Sequence, residues 1–159
     1  MTRTALTDAF PKTAALAVAA ALSLSACSTY GGGDDLEFGT RLAADLEGEN
    51  EVPQEGDPNG AGGFEAALGA DGEMCYELVA SGIAPAAAAH IHRGAAGENG
   101  PPVVSLIAPK TGEAGEACTM IETALAQEIL ADPETFYVNV HNEPYPGGAI
   151  RGQLVAPQT

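Results

Sequence analysis

The sequence predicts an all-β fold, an antiparallel β-sandwich or flattened barrel that carries one short helix. Its 159 residues are about the length of one domain. The 20 glycines and 11 prolines indicate many turns, and short segments with a strand-like pattern lie between those turns. Hydrophobic residues make up 45% of the chain, which is enough to build a core.

The charge balance of the chain is strongly acidic. Its 22 acidic residues against 6 lysines and arginines give a formal net charge of -16. Recognition of phosphates needs a cationic surface, so this balance argues against nucleic acid as a partner. The same charge attracts cations.

The first 26 residues have the organisation of a lipoprotein signal peptide. Arg3 and Lys12 precede an apolar run over residues 13–24, which is too short to span a bilayer. The run ends in Leu-Ser-Ala-Cys at Cys27, which resembles a bacterial lipoprotein processing site. This resemblance implies cleavage before Cys27, lipid on its sulfur and an extracytoplasmic protein anchored in the cell envelope. The alternative is an ordinary secretory peptide followed by a chance cysteine.

Cys75 and Cys118 are the two cysteines that remain once Cys27 carries lipid. The compartment is oxidising, so we expect them to form a disulfide that closes a loop of about 43 residues. The alternative is two free thiols that serve as metal ligands, but the cysteines lack CxxC spacing.

The mature chain begins with a polar tether, residues 27–37, and the β-domain extends over 38–159. Its three consecutive glycines predict a flexible tether. Apolar residues alternate along 40–46 and predict the first strand. Residues 47–61 follow as a loop whose acidic side chains should form a solvated surface, with a Ca²⁺ site as the alternative. These acids are Glu47, Glu49, Glu51, Glu55 and Asp57.

The rest of the domain alternates strands with turns. Asp71-Gly72 predicts a tight hairpin between its flanking strands. Residues 123–131 are the one helix candidate, and Pro133 ends it. The further predicted strands are 63–70, 73–80, 86–93, 103–107, 118–121, 136–141 and 149–155.

The three histidines of the chain lie in two predicted strands, on the face opposite the core. His90 and His92 are two residues apart, so both leave the same face. His141 shares a face with Tyr137 and Asn139, away from the apolar side of its strand. If the two strands are neighbours, three imidazoles converge on a site that suits copper first and zinc second and leaves a position for water. The alternative is that they are polar surface residues bonded to backbone or loop carboxylates.

Arg151 lies in the last predicted strand and also points away from the core. The turn over 142–148 makes that strand the antiparallel partner of 136–141. We therefore expect Arg151 near the histidines.

Two blocks of sequence, residues 90–101 (HIHRGAAGENGP) and 137–154, together resemble the CHRD domain, a module named from chordin. Residues 46–53 (LEGENEVP) resemble the start of that family. The resemblance runs from about Phe38 to Val155. It implies a Greek-key, immunoglobulin-like β-sandwich that has a binding or structural role outside the cytoplasm, with an unidentified protein as partner.

The CHRD resemblance also implies roles for single residues near the end of the domain. Gly147 and Gly148 would serve a turn with positive φ. Arg151 would pair with a loop carboxylate such as Glu98 or Glu143.

A more distant resemblance links the chain to copper–zinc superoxide dismutases. Those enzymes carry His-x-His on one strand, a later histidine and a C-terminal arginine near the copper. The resemblance implies these roles for His90, His92, His141 and Arg151. This chain lacks the further histidines of that family, for a fourth copper ligand and for zinc. The first hypothesis is a lipid-anchored CHRD module with a binding or structural role. The second is that it handles copper through His90, His92 and His141, and a copper-dependent oxidoreductase that resembles superoxide dismutase is the further alternative.

Overall fold

The computed structural model describes residues 39–156. The predicted signal peptide, Cys27 and the tether lie outside the described residues. Within residues 39–156, no helix is long and apolar enough to cross a membrane.

The described chain forms eight strands and one α-helix, so the prediction of an all-β fold with one short helix is confirmed. Two single-turn 3₁₀ helices, Gly48–Asn50 and Pro133–Thr135, join them. The strands are β1 (Thr40–Glu47), β2 (Ala61–Leu68), β3 (Glu73–Ser81), β4 (Ala86–Arg93), β5 (Pro102–Leu106), β6 (Gly115–Met120), β7 (Phe136–Asn142) and β8 (Ile150–Gln153), and the helix is α1 (Thr123–Ala131).

All strand pairs are antiparallel and belong to one sheet in the order β5-β4-β7-β8-β1-β2-β3-β6. The sheet curls until its edges meet in a barrel-like form. Ile107, directly after β5, donates its backbone N–H to Tyr76 Oη of β3 at 2.8 Å. The order places β4, which carries two histidines, beside β7, which carries the third.

The interior is built from the apolar side chains of alternate strand positions. In β1, Leu42, Ala44 and Leu46 are buried, whereas Arg41 before them and Asp45 between Ala44 and Leu46 are exposed. The helix α1 adds Ala126 and Ile129 to the same core. Burial of each larger aliphatic side chain stabilises the folded state by on the order of 1.5–3 kcal/mol. This gain determines which face of each strand turns toward the core.

Strand β7 departs from this alternation because both of its faces are covered. Six of its seven residues are buried, and His141 is half-buried. Its outer face lies under the loops that follow β4 and β7, which supply hydrogen-bond partners to His92 and His141. The outer face of β7 is therefore enclosed, as a binding site requires.

The predicted disulfide is confirmed. Cys75 in β3 and Cys118 in β6 occupy directly opposite positions in the sheet and are bonded to each other. The prediction of a solvated acidic loop is wrong for one residue, Glu51, which is only 4% exposed. Its carboxyl lies against Gly148 and Asn139, so the loop folds inward at that position.

Candidate metal centre

The three histidines converge because of the register between β4 and β7. His90 lies opposite Asn139, and His141 lies opposite Ala88, so His141 is the diagonal neighbour of His90. The ring centroids are 5.2 Å apart for His90 and His141, 5.5 Å for His90 and His92, and 6.0 Å for His92 and His141. One potential ligand nitrogen from each ring lies within 4.8 Å of the other two.

Backbone carbonyls orient two of the three rings. Gly100 O lies 2.9 Å from His92 Nδ1, and Pro146 O lies 3.1 Å from His141 Nδ1. A carbonyl only accepts hydrogen bonds, so each Nδ1 carries the proton and leaves a lone pair on Nε2 of the neutral ring. This is the arrangement by which outer partners fix the tautomer of a metal-binding histidine.

Three of the other ring nitrogens are buried and unpaired. Within residues 39–156, His92 Nε2, His141 Nε2 and His90 Nδ1 have no hydrogen-bond partner. Burial lowers the pKa of both His92 and His141 below 6.5, and the charge of His90 lowers both further, whereas the carbonyl contacts partly raise them. Neutral imidazoles with free lone pairs are ready to bind a metal ion without first losing a proton.

Glu51 and Asn139 form a buried polar pair beside the histidines. Asn139, 2% exposed, donates from Nδ2 to Glu51 Oε1 at 3.3 Å. Burial raises the pKa of Glu51 to about 7, against the opposing effects of the Asn139 hydrogen bond and the charge of Arg151. The strand pattern predicts the face of Asn139 but gives it no role. The sequence predicts Glu51 only as one of five loop acids, and its position in the block that resembles the start of the CHRD family was the one signal that set it apart.

A cleft of about 330 Å³ opens beside this pair. Its lining includes the buried residues Glu51, His92 and Asn139, together with Gln54 and Tyr145. No lysine or arginine of the described chain lines it. The cleft is therefore rich in hydrogen-bond acceptors and carries no cationic side chain.

Arg151 lies near the histidines as predicted, but its partners differ from those expected. It is 1% exposed, and its guanidinium donates to the main-chain carbonyls of Ala95 at 3.0 Å and Glu98 at 2.8 Å. It also donates to Asn99 Oδ1 at 3.4 Å and lies 3.5 Å from the centre of the Tyr137 ring. The predicted ion pair with the Glu98 or Glu143 carboxylate is wrong, because main-chain oxygens of the covering loop, the loop between β4 and β5, accept hydrogen bonds from the guanidinium.

The turn before β8 depends on one of its two glycines. Gly148 has a φ of 149°, whereas Gly147 has no positive φ, so the prediction holds for Gly148 alone. A Cβ at Gly148 would stand 2.2 Å from Glu51 Oε1. Glycine is needed there both for its backbone conformation and for the space that the Glu51 carboxyl occupies.

Comparison with known proteins gives one finding about the family. A family model described as the CHRD domain matches residues 42–154, which include the three histidines, Asn139 and Arg151. No curated protein matches the chain.

Proposed function

The chain belongs to the CHRD-domain family, and from that premise we propose that it is a lipid-anchored extracytoplasmic binding module that holds a copper ion through His90, His92 and His141. Family membership supports the binding or structural role. The observation that supports the metal is the set of three unpaired, buried imidazole nitrogens at one place.

The energetics of burial favour a bound cation at this cluster. A buried polar atom without a partner costs about 1–3 kcal/mol, and three such atoms meet here. One metal ion would satisfy all three at once. Imidazole suits both copper and zinc, and the divalent series places Cu²⁺ above Zn²⁺ in affinity for the same ligands, so copper is the first candidate and zinc the second.

The anchor and the location are part of the proposal and have their own test. The signal-like residues 1–26 and Cys27 support them, as does the Cys75–Cys118 disulfide, since such bonds persist in oxidising compartments. We expect the expressed protein to fractionate with membranes and its N-terminal peptide to carry lipid on Cys27. Cys27→Ser should release the protein. A soluble wild-type protein without lipid would contradict the anchor but not the metal site.

Copper-dependent dismutation is the alternative function, and the site favours it less. Superoxide is an anion, and the cleft is lined by Glu51 and Glu55 with no lysine or arginine of the described chain. Arg151, the candidate for guiding an anion, is 1% exposed, and loop oxygens accept its hydrogen bonds. Superoxide turnover by the copper-loaded protein at a rate well above that of its metal-free form would restore the dismutase hypothesis.

A metal titration tests the proposed site. The tag-free protein should bind one Cu²⁺ per chain. His92→Ala should weaken that binding by more than about 100-fold, because removing a ligand should cost more affinity than removing a hydrogen-bond partner of a ligand. Lys110→Ala, an exposed change in another loop, is the control and should leave the affinity unchanged. Copper that binds His92→Ala as tightly as wild type would be held by the acidic surface, and the proposed centre would be wrong.

A further inference from the structure

The cleft contains a hydrogen-bond acceptor, Asn139 Oδ1, that lies beside His92 but forms no hydrogen bond within residues 39–156. Asn139 lines the cleft together with His92, and its Oδ1 is buried without a hydrogen-bond partner within residues 39–156. The residue is 2% exposed. Leaving such an oxygen unpaired costs about 1–3 kcal/mol, so the site favours a ligand that brings a donor.

Neighbouring residues fix the direction of this acceptor. The Asn139 Nδ2 donates to Glu51 Oε1, and above its pKa of about 7 the Glu51 carboxyl is ionised and can only accept. Turning the amide around would set its oxygen against the carboxylate and lose that hydrogen bond. Glu51 itself is packed against Gly148, where there is no room even for a Cβ. The Asn139 oxygen is therefore held away from Glu51.

Asn139 stands in the middle of the candidate ligands. It lies opposite His90 across the β4–β7 pair and two residues before His141 on the same face of β7. Three histidines leave one position open on a four-coordinate ion. A ligand at that position would lie on the face of the sheet that also carries the Asn139 amide.

We propose that the cleft binds a small, proton-bearing oxygen ligand of the metal, water in the resting protein, and that Asn139 Oδ1 accepts its hydrogen bond. This inference rests on the proposed copper site at His90, His92 and His141. Asn139 acts through the ligand, so it is a positioning residue. The site then selects protic ligands and disfavours anions that lack a proton, because the Asn139 oxygen and the Glu51 carboxylate both present lone pairs to the cleft.

Azide is a suitable probe because it binds Cu²⁺ and has no proton to donate. The experiment loads the protein with Cu²⁺ and follows azide binding by its charge-transfer absorption, in wild type and in Asn139→Leu. We expect Asn139→Leu to bind azide about fivefold more tightly, which corresponds to one neutral hydrogen bond, since azide no longer displaces a hydrogen-bonded water. Its copper affinity should stay within about threefold of wild type, because Asn139 is not a ligand.

Controls separate this effect from general loosening of the cleft. Gln54→Leu changes an exposed lining residue and should leave azide affinity unchanged. If Asn139→Leu does not fold, Glu51→Gln tests the same point, because glutamine can donate to Asn139 Oδ1 and let its Nδ2 turn to the ligand. Azide affinity should then also rise.

The outcomes distinguish this inference from the function on which it rests. Copper binding with equal azide affinities in wild type, Asn139→Leu and Glu51→Gln overturns the role of Asn139 and leaves the copper site in place. Failure of the wild-type protein to bind copper overturns the proposed function, and this inference with it.

Discussion

The sharpest prediction concerns Arg151, the largest side chain of the described residues that is fully buried. Its guanidinium holds the loop between β4 and β5 by donating to Ala95 O and Glu98 O, and it packs on the Tyr137 ring. We consider Arg151→Met, which keeps much of the length and the apolar contact of the side chain but removes every donor.

The expected loss of stability follows from those contacts. Two well-placed loop carbonyls, at 3.0 and 2.8 Å from the guanidinium, lose their donor. Each unsatisfied buried acceptor costs about 1–3 kcal/mol, and the contact with the Tyr137 ring is worth about 1 kcal/mol more. Methionine avoids the cost of burying a charge, which offsets part of this. We therefore expect the free energy of unfolding to fall by about 3 kcal/mol.

The same substitution should weaken the metal centre without touching a ligand. The loop that Arg151 holds also supplies Gly100 O, the hydrogen-bond partner of His92 Nδ1. Loss of such an outer partner lowers metal affinity by about 10- to 100-fold. An arginine that only guided anions toward the cleft would not affect copper affinity in this way.

Urea unfolding followed by circular dichroism and a Cu²⁺ titration measure the two effects. Arg93→Met is the matched control on β4, because Arg93 is exposed and pairs with Glu128 at the surface, a contact worth at most about 1 kcal/mol. If Arg151→Met unfolds within about 1 kcal/mol of wild type and binds copper equally well, the loop does not depend on Arg151 and the reasoning is refuted.

Three further predictions concern the disulfide, the buried carboxyl and the turn. Replacing Cys75 and Cys118 by serine should lower the free energy of unfolding by about 4 kcal/mol, for a loop with a sequence separation of 43, and reductant should then have no further effect in urea unfolding. The pKa of Glu51 is about 7 in the folded protein and near 4.5 in the unfolded chain. The free energy of unfolding of wild type should therefore fall by about 3 kcal/mol relative to Glu51→Gln as pH rises from 4.5 to 7. Urea midpoints of the two proteins that differ equally at pH 4 and pH 8 would contradict this. Gly148→Ala should destabilise by about 2 kcal/mol in thermal unfolding because its Cβ meets the Glu51 carboxyl, whereas Gly147→Ala, with open space, should change stability by less than about 0.5 kcal/mol.

The faces of the strands could be predicted from the sequence because burial imposes a period of two. Val138 and Val140 turn to the core, which sends His141 to the opposite side, and the same rule places His90 and His92 together. The pairing of β4 with β7 could not be predicted in this way. Strands β5 and β6 and the helix α1 separate the two in the chain, and their adjacency depends on how the whole sheet closes.

The loops were harder to predict because their buried and exposed residues follow no regular spacing in the sequence. Glu51 sits among acidic residues that differ little in composition, and its burial depends on Gly148 and Asn139, far away in the sequence. The shortest hydrogen bonds of Arg151 go to main-chain oxygens, which every residue has, so no side-chain pattern identifies these partners. Side-chain charge alone predicts a carboxylate partner for Arg151, whereas the conformation of the loop brings main-chain oxygens to the guanidinium.

Tyr137 joins the strand face that carries the histidines to the loop between β4 and β5. Its ring stacks on His92 at 4.9 Å with an interplanar angle of 14°, and it receives the Arg151 guanidinium at 3.5 Å. Its hydroxyl accepts the N–H of Gly100 at 3.3 Å, and the carbonyl of that same residue accepts from His92. The covering loop is thus held by groups that do not bind metal, while the apolar core lies on the other side of the sheet. On the proposed function, these contacts would hold the three histidines in place before an ion binds, and a bound ion would then stabilise the folded state.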